Sequence, residues 1–219
     1  MENPIKNNNY YDVGINSGDV AILGGSFNPI HCGHIAMAEA AHKQLGLDVV
    51  LMPNKTTYYK ENKVFAPDTD RINLLEIVAS EKEYLFYSDM EILRGGITHT
   101  IDTIREFLKA DESRKVYFII GGDSLEWLER WVEADALLKL TYFLTAVRGE
   151  TDREKTKLII ERIYKEHPES HISILDMDDI PISSSDIRNR IAEGASIEGL
   201  VPDKVREYIY TRGLYAKND

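Results

Sequence analysis

A short apolar run, VAIL at residues 20–23, leads directly into the sequence GGSFNPIHCGH at residues 24–34. The run has the continuous apolar character of a strand that is buried on both faces. Glycines after a strand let the backbone turn sharply and come close to a ligand. An alanine-rich helix predicted at residues 33–45 begins at this turn, and helix N-termini attract anions. The stretch therefore predicts a strand, a glycine turn and an anion-binding helix start.

The alternation of apolar strand and helix continues along the chain. Further strands are predicted at residues 49–52, 84–87, 116–120, 141–147 and 171–175. Helices are predicted at residues 70–80, 98–109, 151–166, 184–193 and 203–212, and in a stretch that ends at Leu138. This order predicts an α/β fold, with a Rossmann-like parallel sheet, helices on both faces and a small C-terminal helical part. Ligands of such sheets bind at the carboxyl ends of the strands.

Composition limits the class of protein. The chain has 219 residues, of which 43% are hydrophobic, and its net charge is −11, so duplex nucleic acid is a poor partner. The lone cysteine, Cys32, allows no intrachain disulfide, and no signal peptide or membrane-spanning run is present, so a cytoplasmic protein is expected. Residues 19–216 are expected to form one domain, and the polar residues 1–18 an N-terminal extension that is mobile or loosely packed.

Two histidines stand out in the glycine-rich stretch. His31 and His34 are three positions apart at a helix start, so both can face one ligand and donate hydrogen bonds to phosphate oxygens. The alternative is a glycine turn whose histidines are helix caps or packed side chains. A second candidate anion site is ISSSDIR at residues 182–188, with hydroxyls at a helix N-terminus and Arg188 one turn further. Its alternative is an ordinary serine N-cap with a surface arginine.

The stretch at residues 24–34 resembles the nucleotidylyltransferase signature G-x-[ST]-F-[DN]-P-x-H-x-G-H. Members of that superfamily transfer a nucleoside monophosphate from a nucleoside triphosphate without a covalent enzyme intermediate. The resemblance implies that His31 and His34 bind and neutralise the triphosphate in the transition state. It also implies a Rossmann-like sheet, in agreement with the pattern above.

Other segments resemble bacterial nicotinate-nucleotide adenylyltransferases. They are EILRGGITHTIDT at residues 91–103, FIIGGDSL at residues 118–125, VRG at residues 147–149 and the C-terminal segment 200–215. Arg188 and His31 together favour this branch over phosphopantetheine adenylyltransferases and cytidylyltransferases. The resemblance covers about residues 20–216, so it assigns residues 19–216 to a nucleotidylyltransferase domain.

By this resemblance the site residues have three roles. The catalytic charges are His31, His34 and Arg188. The ATP-binding residues are Gly24, Gly25, Ser26, Phe27, Gly121, Asp123, Ile182, Ser183 and Ser184, with Asp123 on the ribose hydroxyls. The mononucleotide-binding residues are Thr100, Trp131, Arg148 and Lys60, with Trp131 stacked on the pyridine ring. No protein metal site is expected, and Mg²⁺ is expected to arrive with ATP.

Three departures from the family pattern concern the acceptor. The chain has His99 where the family commonly has tyrosine, and Val132 where tyrosine commonly follows the stacking tryptophan. The loop that usually ends in P-P-H-K reads PNKTTYYK at residues 53–60, so Lys60 is the candidate for its cation.

The leading hypothesis is adenylyl transfer from ATP to nicotinate mononucleotide, giving deamido-NAD and pyrophosphate. The alternatives are a relative that prefers nicotinamide mononucleotide or another phosphorylated acceptor, and a nucleotide-binding regulator without turnover. The expected partners are small molecules, and a homo-oligomer stays open. Trp127 is interpreted as a packing residue, Asp176, Asp178 and Asp179 as an acidic loop, and Cys32 as a spacer.

Overall fold

The computed structural model describes residues 9–10, 18–55, 66–147, 149–178 and 180–217. Within these ranges six parallel strands form one sheet in the order β3-β2-β1-β4-β5-β6. The strands are β1 (Val20–Gly25), β2 (Val49–Pro53), β3 (Leu85–Tyr87), β4 (Val116–Gly121), β5 (Thr141–Ala146) and β6 (His171–Leu175). All of them lie where apolar runs predict strands, and the predicted fold class is confirmed.

Helices connect the strands. In the described residues they are α1 (Cys32–Leu45), α2 (Asp68–Ala79), α3 (Met90–Arg94), α4 (Thr100–Ala110), α5 (Gly122–Leu125), α6 (Ala134–Leu140), α7 (Gly149–Glu166), α8 (Ser184–Ala192) and α9 (Asp203–Thr211). None of the described helices has both the length and the apolar character that crossing a bilayer requires.

The sheet has a hydrophobic core on each face because successive strand residues point to opposite sides. Leu23, Leu51 and Leu144 belong to one core, which packs against α1, α2, α8 and α9. Ile22, Val50 and Phe143 belong to the other, which packs against α4, α6 and α7. Helices therefore cover both faces, as expected for parallel strands that are apolar throughout.

The region between β4 and β5 differs from the predicted single helical stretch. It contains α5, a 3-10 turn at Leu128–Arg130 and α6. Glu133, with a φ of 53°, adopts a left-handed backbone conformation just before α6, and this conformation interrupts a helix. The short helix α3 lies in a segment where no helix was predicted. Five residues are too few for a helical period to show in the sequence.

Two residues of the N-terminal segment pack against the domain. Tyr10 is 1% exposed, and its amide donates a hydrogen bond of 2.8 Å to the carbonyl oxygen of Tyr87 in the edge strand β3. Its ring lies 5.4 Å from that of Phe107, between centroids. The expectation that residues 1–18 are mobile or loosely packed is therefore wrong for Tyr10. The domain boundary after residue 18 stays a prediction.

The C-terminal helix α9 is joined to α2 through one buried carboxylate. Asp70 Oδ1 in α2 accepts hydrogen bonds from the Tyr208 hydroxyl at 2.8 Å and from Arg212 Nε at 2.9 Å, both on or next to α9. Burial alone would raise the pKa of Asp70, but the bonds from Arg212 and Tyr208 hold it below its usual value. This pairing holds α9 against α2.

Candidate active site

A cavity of about 1280 Å³ opens at the carboxyl ends of the strands, where β1 and β4 lie side by side. The chain leaves the sheet in opposite directions from these two strands, which makes this crevice the topological switch point. The predicted site residues that line it are Gly24, Gly25, Ser26, His31, His34, Thr100, Gly121, Asp123, Trp131, Ile182, Ser183, Ser184 and Arg188. Segments far apart in sequence thus meet in one cavity.

Lys60 and Arg148 lie outside the described residues, so their assignments stay predictions. Phe27 is described, and its side chain does not line the cavity. A φ of 42° folds its fully buried ring beneath the glycine turn, 5.0 Å from the His34 ring between centroids. Phe27 therefore supports the cavity wall from below, and only its backbone remains a candidate for ligand contact.

The glycine turn is closely packed against the neighbouring strand. A Cβ atom on Gly24 would lie 2.6 Å from Cζ of Phe118 in β4, far inside van der Waals contact. A Cβ atom on Gly33 would lie 3.1 Å from the His31 ring. A side chain at Gly24 would therefore force the turn or the Phe118 ring to shift, and one at Gly33 would need the His31 ring to move by a few tenths of an ångström.

The two histidines cap the helix and also line the cavity. His31 is the N-cap of α1 and is 6% exposed, and its ring stacks on the His34 ring at a centroid distance of 3.7 Å. The His31 amide donates a hydrogen bond of 3.3 Å to His34 Nδ1. Because Nδ1 accepts this bond, a neutral His34 carries its proton on Nε2. The capping alternative and the ligand-binding hypothesis are thus compatible.

Arg188 is connected to the signature turn by hydrogen bonds. Its Nη1 donates to the Asn28 carbonyl oxygen at 2.7 Å, and its Nη2 donates to the Ser185 hydroxyl at 3.1 Å. The Ser184 hydroxyl donates to the Pro29 carbonyl oxygen at 2.9 Å. Burial lowers the pKa of the Arg188 guanidinium from its usual value, because removing the cation from water destabilises its charged form. This destabilisation is a free-energy cost. An anion in the cavity would offset that cost.

Ser183 is an N-cap, as in the alternative interpretation of this segment, an ordinary serine N-cap with a surface arginine. Its hydroxyl accepts a hydrogen bond of 3.0 Å from the amide of Asp186. Arg188, however, is half-buried and faces the cavity rather than the outer surface. The cap therefore fixes the start of α8, and α8 in turn directs Arg188 to the signature turn.

A buried arginine that the sequence analysis did not identify holds the floor of the site. Arg71 in α2 is 1% exposed and donates to the carbonyl oxygens of Ser26 at 2.8 Å and Asn54 at 2.9 Å. Its charge is balanced by Asp68 at 2.5 Å. The only sequence signal was an arginine within the buried face of a helix, next to Leu74 and Leu75.

The predicted acceptor side of the cavity is formed by α4 and the segment after α5. Thr100 is the first residue of α4, and Thr98 and His99 before it also line the cavity. The Trp131 ring packs edge-on against Phe143 with centroids 6.4 Å apart. This contact packs one side of the indole against β5.

The interpretation of Trp127 as a packing residue is wrong. Its side chain is 53% exposed and lines the cavity, and the Arg130 guanidinium lies 4.4 Å from its ring centroid. Here the 3-10 turn rotates Trp127 outward and leaves Leu128 buried instead.

The acidic residues after β6 do not gather into one group in the described part. Asp176 is exposed and pairs with Arg153 at 3.4 Å, whereas Asp178 lines the cavity, and Asp179 is outside the described residues.

Cys32 is partly buried, and burial raises the pKa of its thiol above the usual value. Its amide donates to the Leu200 carbonyl oxygen at 2.9 Å.

A glycine turn and helix N-termini at the switch point of a parallel sheet are typical of proteins that bind nucleotides there. The family profile described as "Cytidylyltransferase-like" matches residues 22–190. A protein of Dehalococcoides mccartyi named "Probable nicotinate-nucleotide adenylyltransferase" is 36% identical over 199 residues, which cover 89% of this chain and 95% of the relative. A protein of the same name from Lachnoclostridium phytofermentans is 34% identical, covering 90% and 98%. The chain belongs to the nicotinate-nucleotide adenylyltransferase family.

Solved structures share the fold. The nicotinic acid mononucleotide adenylyltransferase of Plasmodium falciparum, complexed with NaAD, aligns with a TM-score of 0.72 at 21% identity. The alignment covers 91% of this chain and 98% of the other. The same enzyme complexed with APC aligns with a TM-score of 0.69 at 20% identity, covering 91% and 98%.

Proposed function

We propose that the chain transfers AMP from MgATP to nicotinate mononucleotide, which yields deamido-NAD and pyrophosphate. A phosphate oxygen of the mononucleotide attacks the α-phosphorus of ATP and forms the new P–O bond. The bond from that phosphorus to the oxygen leading to the β-phosphate breaks, and pyrophosphate leaves with the electron pair. The observation that carries the proposal is that one cavity contains the histidine pair, Arg188, Thr100 and Trp131.

In this proposal catalysis consists of positioning and charge stabilisation. The acceptor phosphate is already ionised near neutral pH, so the reaction needs no general base. His34 Nδ1 accepts a hydrogen bond from the His31 amide, so the imidazole proton is on Nε2, which donates to the triphosphate. Arg188 supplies a fixed positive charge. Both are held by hydrogen bonds before any ligand binds, so little reorganisation is needed in the transition state.

The remaining ATP contacts follow from the placement of the turns. Gly24, Gly25 and Gly121 lie at the ends of β1 and β4 and let the nucleotide approach the backbone. Asp123, at the start of α5, contacts the ribose hydroxyls, and Ser184 contacts the phosphates. These roles combine the family resemblance with the shared cavity.

Magnesium enters the proposal as part of the substrate. The residues proposed around the phosphates are imidazoles, a guanidinium and hydroxyls, whereas Mg²⁺ prefers several oxygen ligands, among them water and phosphate. This donor set fits an ion that arrives on the triphosphate rather than one held by the protein. Such an ion neutralises charge on the leaving pyrophosphate.

The acceptor assignment is supported by the names of relatives and by the presence of Trp131 and Thr100 in the wall of the same cavity. NaAD, bound by the Plasmodium enzyme, contains the proposed acceptor joined to AMP, and APC resembles the proposed donor.

A cytoplasmic site of action fits the same proposal because Cys32 requires no oxidising compartment.

The test is an acceptor panel. The purified chain is incubated with MgATP and one of nicotinate mononucleotide, nicotinamide mononucleotide or phosphopantetheine, and the products are identified by mass. A dinucleotide formed with nicotinate mononucleotide, together with equimolar pyrophosphate, supports the proposal. Turnover only with phosphopantetheine would contradict it, and nucleotide binding without any product would indicate a regulator.

A further inference from the structure

Glu91 is a buried carboxyl group that the proposed reaction does not use. Its side chain is part of the cavity wall, although the residue is only 4% exposed. Burial raises the pKa of Glu91 to about 7, against the lowering effect of a hydrogen bond from Thr103 and of the nearby Arg94 charge. A carboxyl group in such a place is costly unless polar partners compensate it.

Those partners connect two helices. The Thr103 hydroxyl donates to Glu91 Oε1 at 2.5 Å and accepts from Arg94 Nη2 at 3.0 Å. Arg94 Nη2 also lies 4.0 Å from Glu91 Oε1. Glu91 and Arg94 belong to α3, whereas Thr103 lies one turn into α4. The three side chains therefore fix the position of α4 relative to α3.

The segment between these helices forms part of the cavity wall. Gly95 and Gly96 both have a φ of 70°, so the backbone turns in a conformation that other residues rarely adopt. The residues that follow and line the cavity are Ile97, Thr98, His99 and Thr100. The Thr98 hydroxyl accepts from the Lys55 amide at 3.3 Å, which links this wall to the loop after β2.

We propose that Glu91 is a positioning residue for the acceptor: through Thr103 and Arg94 it sets the wall, residues 97–100, against which the pyridine group lies. This inference rests on the proposed function. Glu91 acts through its partners and through the start of α4, and the phosphate-binding side is held independently by α1 and α8. Disturbing Glu91 therefore weakens acceptor binding and leaves ATP binding unchanged.

The test compares kinetic constants for the two substrates in matched variants. E91Q keeps the shape but weakens the bond to Thr103, and T103V keeps the volume but removes the hydroxyl. Both are expected to raise the KM for the mononucleotide about tenfold, the scale of one lost hydrogen bond to a charged group, while the KM for ATP changes less than twofold. T103S restores the hydroxyl and is expected to return the mononucleotide KM to near the wild-type value.

The control is D102N, on the exposed side of the same helix, which is expected to leave both constants unchanged. Parallel rises in both KM values, or unchanged values in E91Q and T103V, would overturn the inference. So would loss of the folded state in both variants, because the network would then serve folding alone. Wild-type protein that makes no dinucleotide from either pyridine mononucleotide would instead refute the proposed function.

Discussion

The hydroxyl of Tyr215 donates a hydrogen bond of 2.9 Å to Oδ1 of Asn28, which joins the segment after α9 to the middle of the signature turn. The same Oδ1 accepts from the amide of Ala66 at 2.9 Å, and the Asn28 carbonyl oxygen accepts from Arg188. Burial raises the pKa of Tyr215 well above its usual value, so the hydroxyl stays protonated as the donor. Asn28 is thus the point where three distant segments meet.

Removing that hydroxyl is expected to weaken the fold modestly. Y215F should lower the free energy of unfolding by about 1 kcal/mol, the usual net contribution of one hydrogen bond, because Asn28 keeps its bond from Ala66. Denaturant unfolding measures the loss. The matched control is Y210F on the exposed side of α9, which should not change stability. Equal stabilities for Y215F and wild type would show that the bond contributes nothing.

Substitution of Arg188 by lysine tests whether the geometry of the guanidinium group matters in addition to its charge. A guanidinium can donate to Asn28 and Ser185 while facing a phosphate, and a lysine ammonium cannot reproduce that fork. R188K should therefore lower kcat/KM at least tenfold, measured by pyrophosphate release. The control is R190K, two residues further and exposed on the same helix, with expected full activity. An R188K enzyme as efficient as wild type would show that the fork geometry of Arg188 contributes nothing to the reaction.

His34 tests transition-state stabilisation. Because its Nδ1 accepts a hydrogen bond from the His31 amide, Nε2 is the hydrogen-bond donor available to the triphosphate. H34A should lower kcat by about 10² or more, the scale of one lost preorganised donor. Single-turnover rates at saturating MgATP separate this loss from weaker binding. H171A, at an exposed position in β6, serves as the control. Wild-type turnover in H34A would remove the histidine from the mechanism.

Gly24 tests the close packing at the switch point. G24A places a Cβ atom 2.6 Å from the Phe118 ring, so either the turn or the ring must move. The expected cost is about 1–3 kcal/mol of stability, as for other overpacked sites. Thermal and denaturant unfolding measure it, and the double variant G24A/F118L should recover much of the loss. A Cβ on Gly121 meets open space, so G121A should be close to wild type in stability.

Most of the sheet could be predicted from sequence for a simple physical reason. Central parallel strands are covered on both faces, so they appear as uninterrupted apolar runs such as residues 49–52 and 116–120. The stretch at residues 24–34 could also be singled out, because it resembles the nucleotidylyltransferase signature, and the structure places His31 and His34 at the cavity. Arg188 was singled out by the serines at a predicted helix start together with the resemblance of residues 182–188 to a family motif, and its role in binding stays a prediction.

The parts that could not be predicted depend on tertiary contacts. Arg71 and Asp70 have charged side chains, and nothing local shows that one binds two carbonyl groups of the site while the other fixes the C-terminal helix. Glu91 lay in a recognised motif, but its partner Thr103 is brought to it by the turn at Gly95 and Gly96. Trp127 was wrongly taken as a packing residue because its sequence neighbourhood does not show that the 3-10 turn at Leu128–Arg130 buries Leu128 and leaves Trp127 exposed.

The identity of the acceptor is the central claim, and a side-by-side comparison of two mononucleotides tests it most directly. Nicotinate carries a carboxylate where nicotinamide carries an amide, so a site that offers donors there leaves them unpaired with the wrong ring. In a chain of net charge −11, those donors must be local, at Thr100, His99 and the start of α4. We predict that kcat/KM for pyrophosphate release from MgATP is at least about tenfold higher with nicotinate mononucleotide, about 1.4 kcal/mol of discrimination. Equal efficiencies, or a preference for nicotinamide mononucleotide, would contradict the account.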